Sequence, residues 1–260
     1  MSTEPDEPLR RLVDNPAFPR SAGYDPRWVA ENMMGPNVLW LTEALTEVLR
    51  LEPRMRVLDL GCGRAMSSIF LAREFGVQVW AADLWIKPTE NLARIEEAGV
   101  ADRVFPIHVE AHQLPFAAGF FDLIVALDSY HYFGTDDCYI GYIVRFLKPG
   151  GRLGVVVPAA VRPLEAAPEL AEIMHWDFWS FHGPQWWRDH WSRPGLVEVE
   201  HADLIPDGWH HWLRSDKATG HDERAQTWVA ALEADQGKTF GFTRVVARKT
   251  AADVWHPVWP

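Results

Sequence analysis

Three features of the 260-residue chain point to an α/β architecture in which a mostly parallel sheet is doubly wound, with helices on both faces. Short, nearly unbroken apolar runs recur, segments of helical character separate them, and the first run breaks into a glycine turn where a helix should start. The first strand is Arg56–Leu60, followed by a helix over 67–75 and a strand over 77–82. A helix over 88–98, a strand over 104–108 and a strongly apolar strand over 121–127 come next. After a helix near 137–147, the turn Leu147-Lys148-Pro149-Gly150-Gly151 leads into a fifth strand over 152–157. Strands buried on both faces lose the polar alternation of a half-exposed strand, which is why these runs are continuous.

The flanks are read the same way. Residues 1–23 are polar and punctuated by proline, which predicts a loosely packed arm. Asp25 followed by Pro26 suits a helix start, Gly35-Pro36 ends that helix, and Leu39, Leu41, Leu45, Val48 and Leu49 mark a second helical stripe. Beyond the fifth strand the rhythm changes. Residues 163–193 read as broken helix, 196–200 as a strand, 221–235 as a helix and 240–247 as a last strand. No linker composition separates this part, so residues 51–260 read as one domain carrying a cap insertion at about 163–193, preceded by an N-terminal portion over 1–50.

Charge and composition narrow the function. Twenty-five Lys and Arg against 36 Asp and Glu leave a net charge of −11, a field that repels nucleic-acid phosphates and anionic lipid. Two cysteines, Cys62 and Cys138, are too few for a disulfide framework and fit a reducing, cytoplasmic setting. The acidic N-terminus lacks an export pattern, and no apolar run reaches the roughly 18 residues of a membrane span. Histidines crowd the last third, yet no ligand spacing accompanies them, so no metal is expected.

The informative constellation is Val57-Leu58-Asp59-Leu60-Gly61-Cys62-Gly63, at a strand end, with Asp83 at the end of the next strand. Glycines let a ligand approach the backbone closely, and a carboxylate so placed can accept the hydrogens of both ribose hydroxyls. The pair predicts an adenosine-containing ligand, either a dinucleotide such as NAD or S-adenosylmethionine. The third glycine of the dinucleotide fingerprint falls on Met66, which weakens NAD. Asp59, ahead of the glycines, suits a cationic ligand better than an anionic pyrophosphate.

Over about residues 35–160 these motifs resemble the class I S-adenosylmethionine-dependent methyltransferases, particularly the bacterial small-molecule group. The resemblance implies a seven-stranded sheet with an antiparallel last strand and an N-terminal lid over the cofactor. It implies that Asp59, Gly61, Cys62 and Gly63 form the cofactor loop, that Asp83 holds the ribose, and that Leu84 and Trp85 line the adenine pocket. Glu110-Ala111 resembles the acid-Ala step at the adenine amine, and Asp128 the position near the methionine moiety. Ala65 stands where many members have a third glycine, and Glu110 replaces the usual Asp.

Methyl transfer needs mainly in-line positioning, with a general base when the acceptor holds its proton. Asp128-Ser129-Tyr130-His131-Tyr132 follows the fourth strand, where ligands of such sheets bind. His131 is the candidate base, with Tyr130 or Tyr132 orienting the acceptor. The absence of proline there argues against flipped nucleic-acid bases as substrates. Trp176, Trp179 and His182 in the cap, with Tyr24 and Trp40 in the N-terminal portion, are candidate walls for a compact organic acceptor. The reading is thus a methyltransferase acting on a small molecule, at nitrogen or oxygen by preference. The alternatives are an NAD-dependent oxidoreductase and a non-catalytic S-adenosylmethionine-binding regulator.

Overall fold

A computed structural model describes residues 7–170, 173, 175–220 and 223–252. Residues 1–6 of the expected arm and 221–222 of the expected helix lie outside the described residues. The chain runs α1 (Glu7–Arg10), α2 (Pro26–Asn32), α3 (Val38–Thr46), β1 (Arg56–Leu60), α4 (Met66–Phe75), β2 (Gln78–Asp83), α5 (Pro88–Glu97), β3 (Val104–His108) and β4 (Phe121–Leu127). It continues through α6 (Tyr139–Ile143), β5 (Leu147–Ala160), α7 (Pro184–Ser192), β6 (Val197–Leu204), α8 (Gly208–Thr219), α9 (Glu223–Asp235) and β7 (Phe240–Lys249).

The seven strands form one sheet in the order β3-β2-β1-β4-β5-β7-β6, with β7 antiparallel to both its neighbours. The order reverses between β1 and β4, so a crevice opens beyond their carboxyl ends. Val57, Leu58, Val79, Ala81, Ile124, Val125 and Val155 are buried to 1% exposure or less, as both faces being covered requires. The apolar runs therefore needed no alternation to specify strands.

Local signals act as expected at several ends. Asp25 accepts the backbone N–H of Arg27 at 2.8 Å with Pro26 in the first turn of α2, and Gly76, at φ 66°, closes α4. The arm departs from expectation. Leu12, Val13, Asn15 and Phe18 are buried, and Phe18 stacks on Trp40 with ring centres 5.9 Å apart. Few apolar residues suffice there because they fall into the gap between α3 and α8. Helix α8 had no clear sequence signal, since Trp209, His210, His211 and Trp212 blur its apolar face. Among its described residues, the cap over 163–193 shows short 3₁₀ turns followed by α7, and residues 171, 172 and 174 of the expected cap lie outside the described residues.

Candidate functional site

β1 leaves the sheet through a turn that only small residues can form. Gly61 has φ 75° and Gly63 φ 52°. A Cβ on Gly61 would stand 2.5 Å from Ser129 Cβ, so the β1 and β4 ends can approach only around a glycine. Gly61 and Cys62 both donate their N–H to Ala82 O, at 2.8 and 3.1 Å. Ala65, also left-handed at φ 61°, takes that conformation with a methyl group and no exposure. Beneath the turn, Ser67 and Ser68 of α4 each donate to Asp59 Oδ2 at 2.6 Å. Full burial pushes the Asp59 carboxyl up to about 6, and the residue anchors the helix start from behind the turn, outside the cavity lining.

Asp83 is fixed by three backbone donors: Trp85 and Ile86 to Oδ1 at 2.7 and 2.8 Å, and Gly63 to Oδ2 at 2.8 Å. A carboxylate has about four acceptor sites, which leaves capacity for a ligand hydroxyl. The second-strand acid and the glycine turn are thus one hydrogen-bonded unit.

That unit lines a cavity of about 340 Å³. Gly61, Cys62, Gly63, Asp83, Leu84 and Trp85 line it, together with Glu110, Ala111, Asp128 and Tyr132. The size suits one small organic ligand, and Asp83 with the open glycine backbone supplies the polar contacts that an adenosyl amino-acid cofactor requires. Glu110 is oriented by His112, whose N–H reaches Oε2 and whose Nδ1 lies 2.8 Å from Oε1. His108 Nε2, 2.8 Å from Leu84 O, steadies the loop carrying Leu84 and Trp85.

Asp128 ends β4 in the left-handed region at φ 55°, with its carboxyl directed at Gly35. Burial and the like charge of Asp216 push it up to about 8. His131 is 2% exposed, lies against Tyr132 with ring centres 4.0 Å apart, and is not itself among the lining residues.

Several expected site residues sit elsewhere. Tyr130 is fully buried among Trp187, Trp191 and Tyr139, its hydroxyl without a hydrogen-bond partner, and is a core residue removed from the cavity. Tyr24 packs on Phe70, and Trp40 on Phe18 and His211, so both fill the core between helices. Trp176 and Trp179 are 72% and 58% exposed, and His182 stacks on Trp186 at 3.7 Å; none of the three lines the cavity. Aromatic composition could not separate walls from packing.

The lining also includes residues that motif reasoning missed. Asn32 and Gly35 come from the α2–α3 turn, beside Met34 of the expected lid, with Arg64, His112, Ser129 and Phe133 from other loops. A hydrogen-bond chain fixes the turn: Asn32 to Trp28 O at 2.8 Å, Arg94 Nε to Asn32 Oδ1 at 2.8 Å, Arg94 to Asn91 at 3.2 Å, and Asn91 to Gly63 O at 2.9 Å. The available signal was Asn91, a polar residue on the inward stripe of α5. Among the described residues no cluster of three metal-ligating side chains occurs, and no helix is long and apolar enough to cross a membrane.

Comparison with known proteins converges on the same region. A family described as a methyltransferase domain matches residues 57–151. The methyltransferase GfsG of Streptomyces halstedii is 34% identical over 116 residues, 44% of this chain and 42% of that protein. The 27-O-demethylrifamycin SV methyltransferase of Amycolatopsis mediterranei is also 34% identical, over 44% of this chain and 43% of its own length. The match therefore spans less than half the length of these curated relatives. Among solved structures, the Haemonchus contortus phosphoethanolamine N-methyltransferase 2 superposes with a TM-score of 0.68 at 17% identity, covering 93% of this chain and 60% of that one. The [4+2]-cyclase SpnF superposes at 0.66 with 21% identity, over 82% of this chain and 80% of that one. At such identities these structures establish the fold alone.

Proposed function

We propose that the chain, whose residues 57–151 match a methyltransferase-domain family, transfers a methyl group from S-adenosylmethionine to a small organic acceptor, with nitrogen or oxygen as the attacked atom. The observation that carries this is the union of the Gly61–Gly63 turn with Asp83 through a 2.8 Å hydrogen bond, at the wall of a cavity sized for one cofactor-like ligand. Asp83 would hold the ribose, Leu84 and Trp85 the adenine face, Glu110 the base edge, and Asp128 the end toward the methionine portion. The cofactor supplies an electrophilic methyl group on a sulfonium.

The protein's part is alignment and exclusion of water. The α2–α3 turn, tied to α5 and to the glycine loop by Asn32, Arg94 and Asn91, closes one side of the cavity. Tyr132 closes another, with the His131 ring 4.0 Å from its own. His131 takes the acceptor's proton where the acceptor carries one, supported by its place directly after β4 and by an imidazole's capacity to accept a proton near neutral pH. The names of similar proteins include O- and N-methyltransferases and a geranyl diphosphate C-methyltransferase, so the comparisons themselves leave the attacked atom open. Against the dinucleotide alternative, Met66 fills the third-glycine place with a side chain that is 1% exposed.

The test is a screen of small-molecule pools with purified protein and S-adenosylmethionine, read as a mass gain of one methylene in the acceptor and stoichiometric S-adenosylhomocysteine. Tight cofactor binding with no methylated product from broad amine and hydroxyl pools would favour the non-catalytic alternative instead.

A further inference from the structure

Helix α8 carries a stripe that the cofactor site does not use. His210, Leu213, Arg214, Lys217 and Ala218 recur at the i, i+3, i+4, i+7, i+8 spacing that puts side chains on one helix face. That face meets the N-terminal arm at Pro8 of α1 and at Arg11, whose N–H donates to Pro8 O at 3.2 Å, so the two lie one turn apart. Between the two walls is a second cavity of about 380 Å³, which shares no lining residue with the cofactor cavity. The arm wall is fixed from behind. Leu12 and Val13 are buried, Leu12 O accepts from Asn37 Nδ2 at 2.7 Å, and Asp14 O accepts from the Arg214 guanidinium.

The charged lining of this cavity has one sign. Arg11, Arg214 and Lys217 line it with the imidazole of His210, and among the described residues no Asp or Glu does. In a chain of net charge −11 such a gathering runs against the prevailing field. Elsewhere on the surface cations meet carboxylates, as Arg103 meets Asp102, Arg152 meets Glu200 and Arg248 meets Glu198. Here only Lys217 has such a partner, Glu233, which stands outside the lining. Arg214 gives one N–H to a backbone carbonyl and lies 5.6 Å over the Trp40 ring, contacts that leave its charge uncompensated. Arg11 is exposed and makes no hydrogen bond or ion pair among the described residues. Like charges gathered around a hollow repel one another, and an anion seated among them turns that repulsion into attraction. The floor differs in kind: Leu213 and Ala218 are 5% and 4% exposed and offer carbon beside the cations.

We infer that the seam between α1 and α8 is a second ligand site, one for a small organic phosphate. The phosphate sits among Arg11, Arg214 and Lys217, and the carbon part of the ligand rests on Leu213, Ala218 and Pro8. Two guanidinium forks and an ammonium match a group that carries close to two negative charges on three oxygens, better than they match a singly charged carboxylate. The volume is that of a small-molecule site. A nucleic-acid strand would extend beyond the cations into the acidic remainder of the surface. Occupancy ties the arm to α8 without contact with the residues around the glycine turn.

The experiment is calorimetric titration in low salt at pH 7.5 with phenyl phosphate, inorganic phosphate and benzyl alcohol, alongside sedimentation with phosphatidylcholine vesicles containing phosphatidate. Phenyl phosphate should bind once per chain and at least about threefold more tightly than inorganic phosphate, because the ring covers the apolar floor. Benzyl alcohol should give no saturable heat, and the protein should stay in solution when the vesicles are pelleted. Arg11→Gln and Lys217→Gln, both at exposed side chains, should each weaken phenyl phosphate at least about fivefold. Arg50→Gln, at an exposed cation paired with Glu52 outside the cavity, should change it by less than about twofold. Saturating S-adenosylhomocysteine should leave it unchanged. No saturable binding of phenyl phosphate, equal affinity for inorganic phosphate, saturable binding of benzyl alcohol, an unweakened Arg11→Gln or Lys217→Gln, an equal loss in Arg50→Gln, or displacement by S-adenosylhomocysteine overturns the inference. Sedimentation with the vesicles would assign the seam to a lipid surface and overturn it equally.

Discussion

Replacing Gly61 by alanine probes the geometry that lets β1 and β4 frame the cavity. The new Cβ would lie 2.5 Å from Ser129 Cβ and 2.7 Å from its Oγ. Carbon atoms prefer roughly 3.5–4 Å, so about 1 Å of relief is needed. Ser129 cannot yield it freely, because its Oγ donates to Leu60 O at 2.8 Å. The left-handed backbone at φ 75° costs an alanine roughly 1–2 kcal/mol, and overpacking adds roughly 1–3 kcal/mol. The variant should therefore lose about 2–5 kcal/mol in urea unfolding, and any part that refolds should bind S-adenosylhomocysteine at least about tenfold more weakly. Adding Ser129→Gly removes both clashing atoms and should restore the overpacking share while leaving the backbone share. A Gly61→Ala protein with stability within about 0.5 kcal/mol of wild type and unchanged affinity would refute the reasoning.

Arg244, 6% exposed, bonds both oxygens of Asp203 at 3.0 and 2.8 Å and Glu47 at 3.0 Å, so Arg244→Met should cost about 3 kcal/mol in denaturant unfolding; a loss below about 1 kcal/mol contradicts its role in joining α3, β6 and β7. The Asp59 carboxyl is raised in the folded protein from its ordinary 3.8 to about 6, so the folded state binds more protons between those values and stability falls as pH rises through that window, by about 3 kcal/mol from this group. Asp59→Asn should flatten that part of the stability profile, and an identical slope in the variant would sink the assignment. His131→Ala should slow single-turnover methyl transfer at least about a hundredfold for a proton-bearing acceptor, with S-adenosylhomocysteine affinity retained; an undiminished rate removes it as the base.

Much of the sheet was readable because buried parallel strands advertise themselves by unbroken hydrophobicity. β1, β3 and β4 begin and end where the apolar runs do. The cofactor side was readable for a related reason: Gly61, Gly63 and Asp83 are close in sequence to the strand ends that place them, so spacing encodes geometry. The rest depended on distant packing. Asp128 and Asp216 are 88 positions apart, and only the docking of α8 brings their charges together. The tryptophans were visible as a composition, yet Trp187 and Trp191 are fully buried while Trp176 and Trp179 are exposed, a division set by the breaks in the cap. Ala65 shows the opposite failure. Its side chain gives no hint of a left-handed backbone, which the strand-to-helix turn imposes.

The most direct measurement is titration of the purified protein with S-adenosylhomocysteine, in parallel with NAD and with the Asp83→Ala variant. One molecule bound per chain, no heat with NAD, and a loss of at least about tenfold in affinity in the variant are what the shared frame of Asp83 and the glycine turn requires. Saturable binding that ignores the Asp83 substitution, or a preference for NAD, would contradict it.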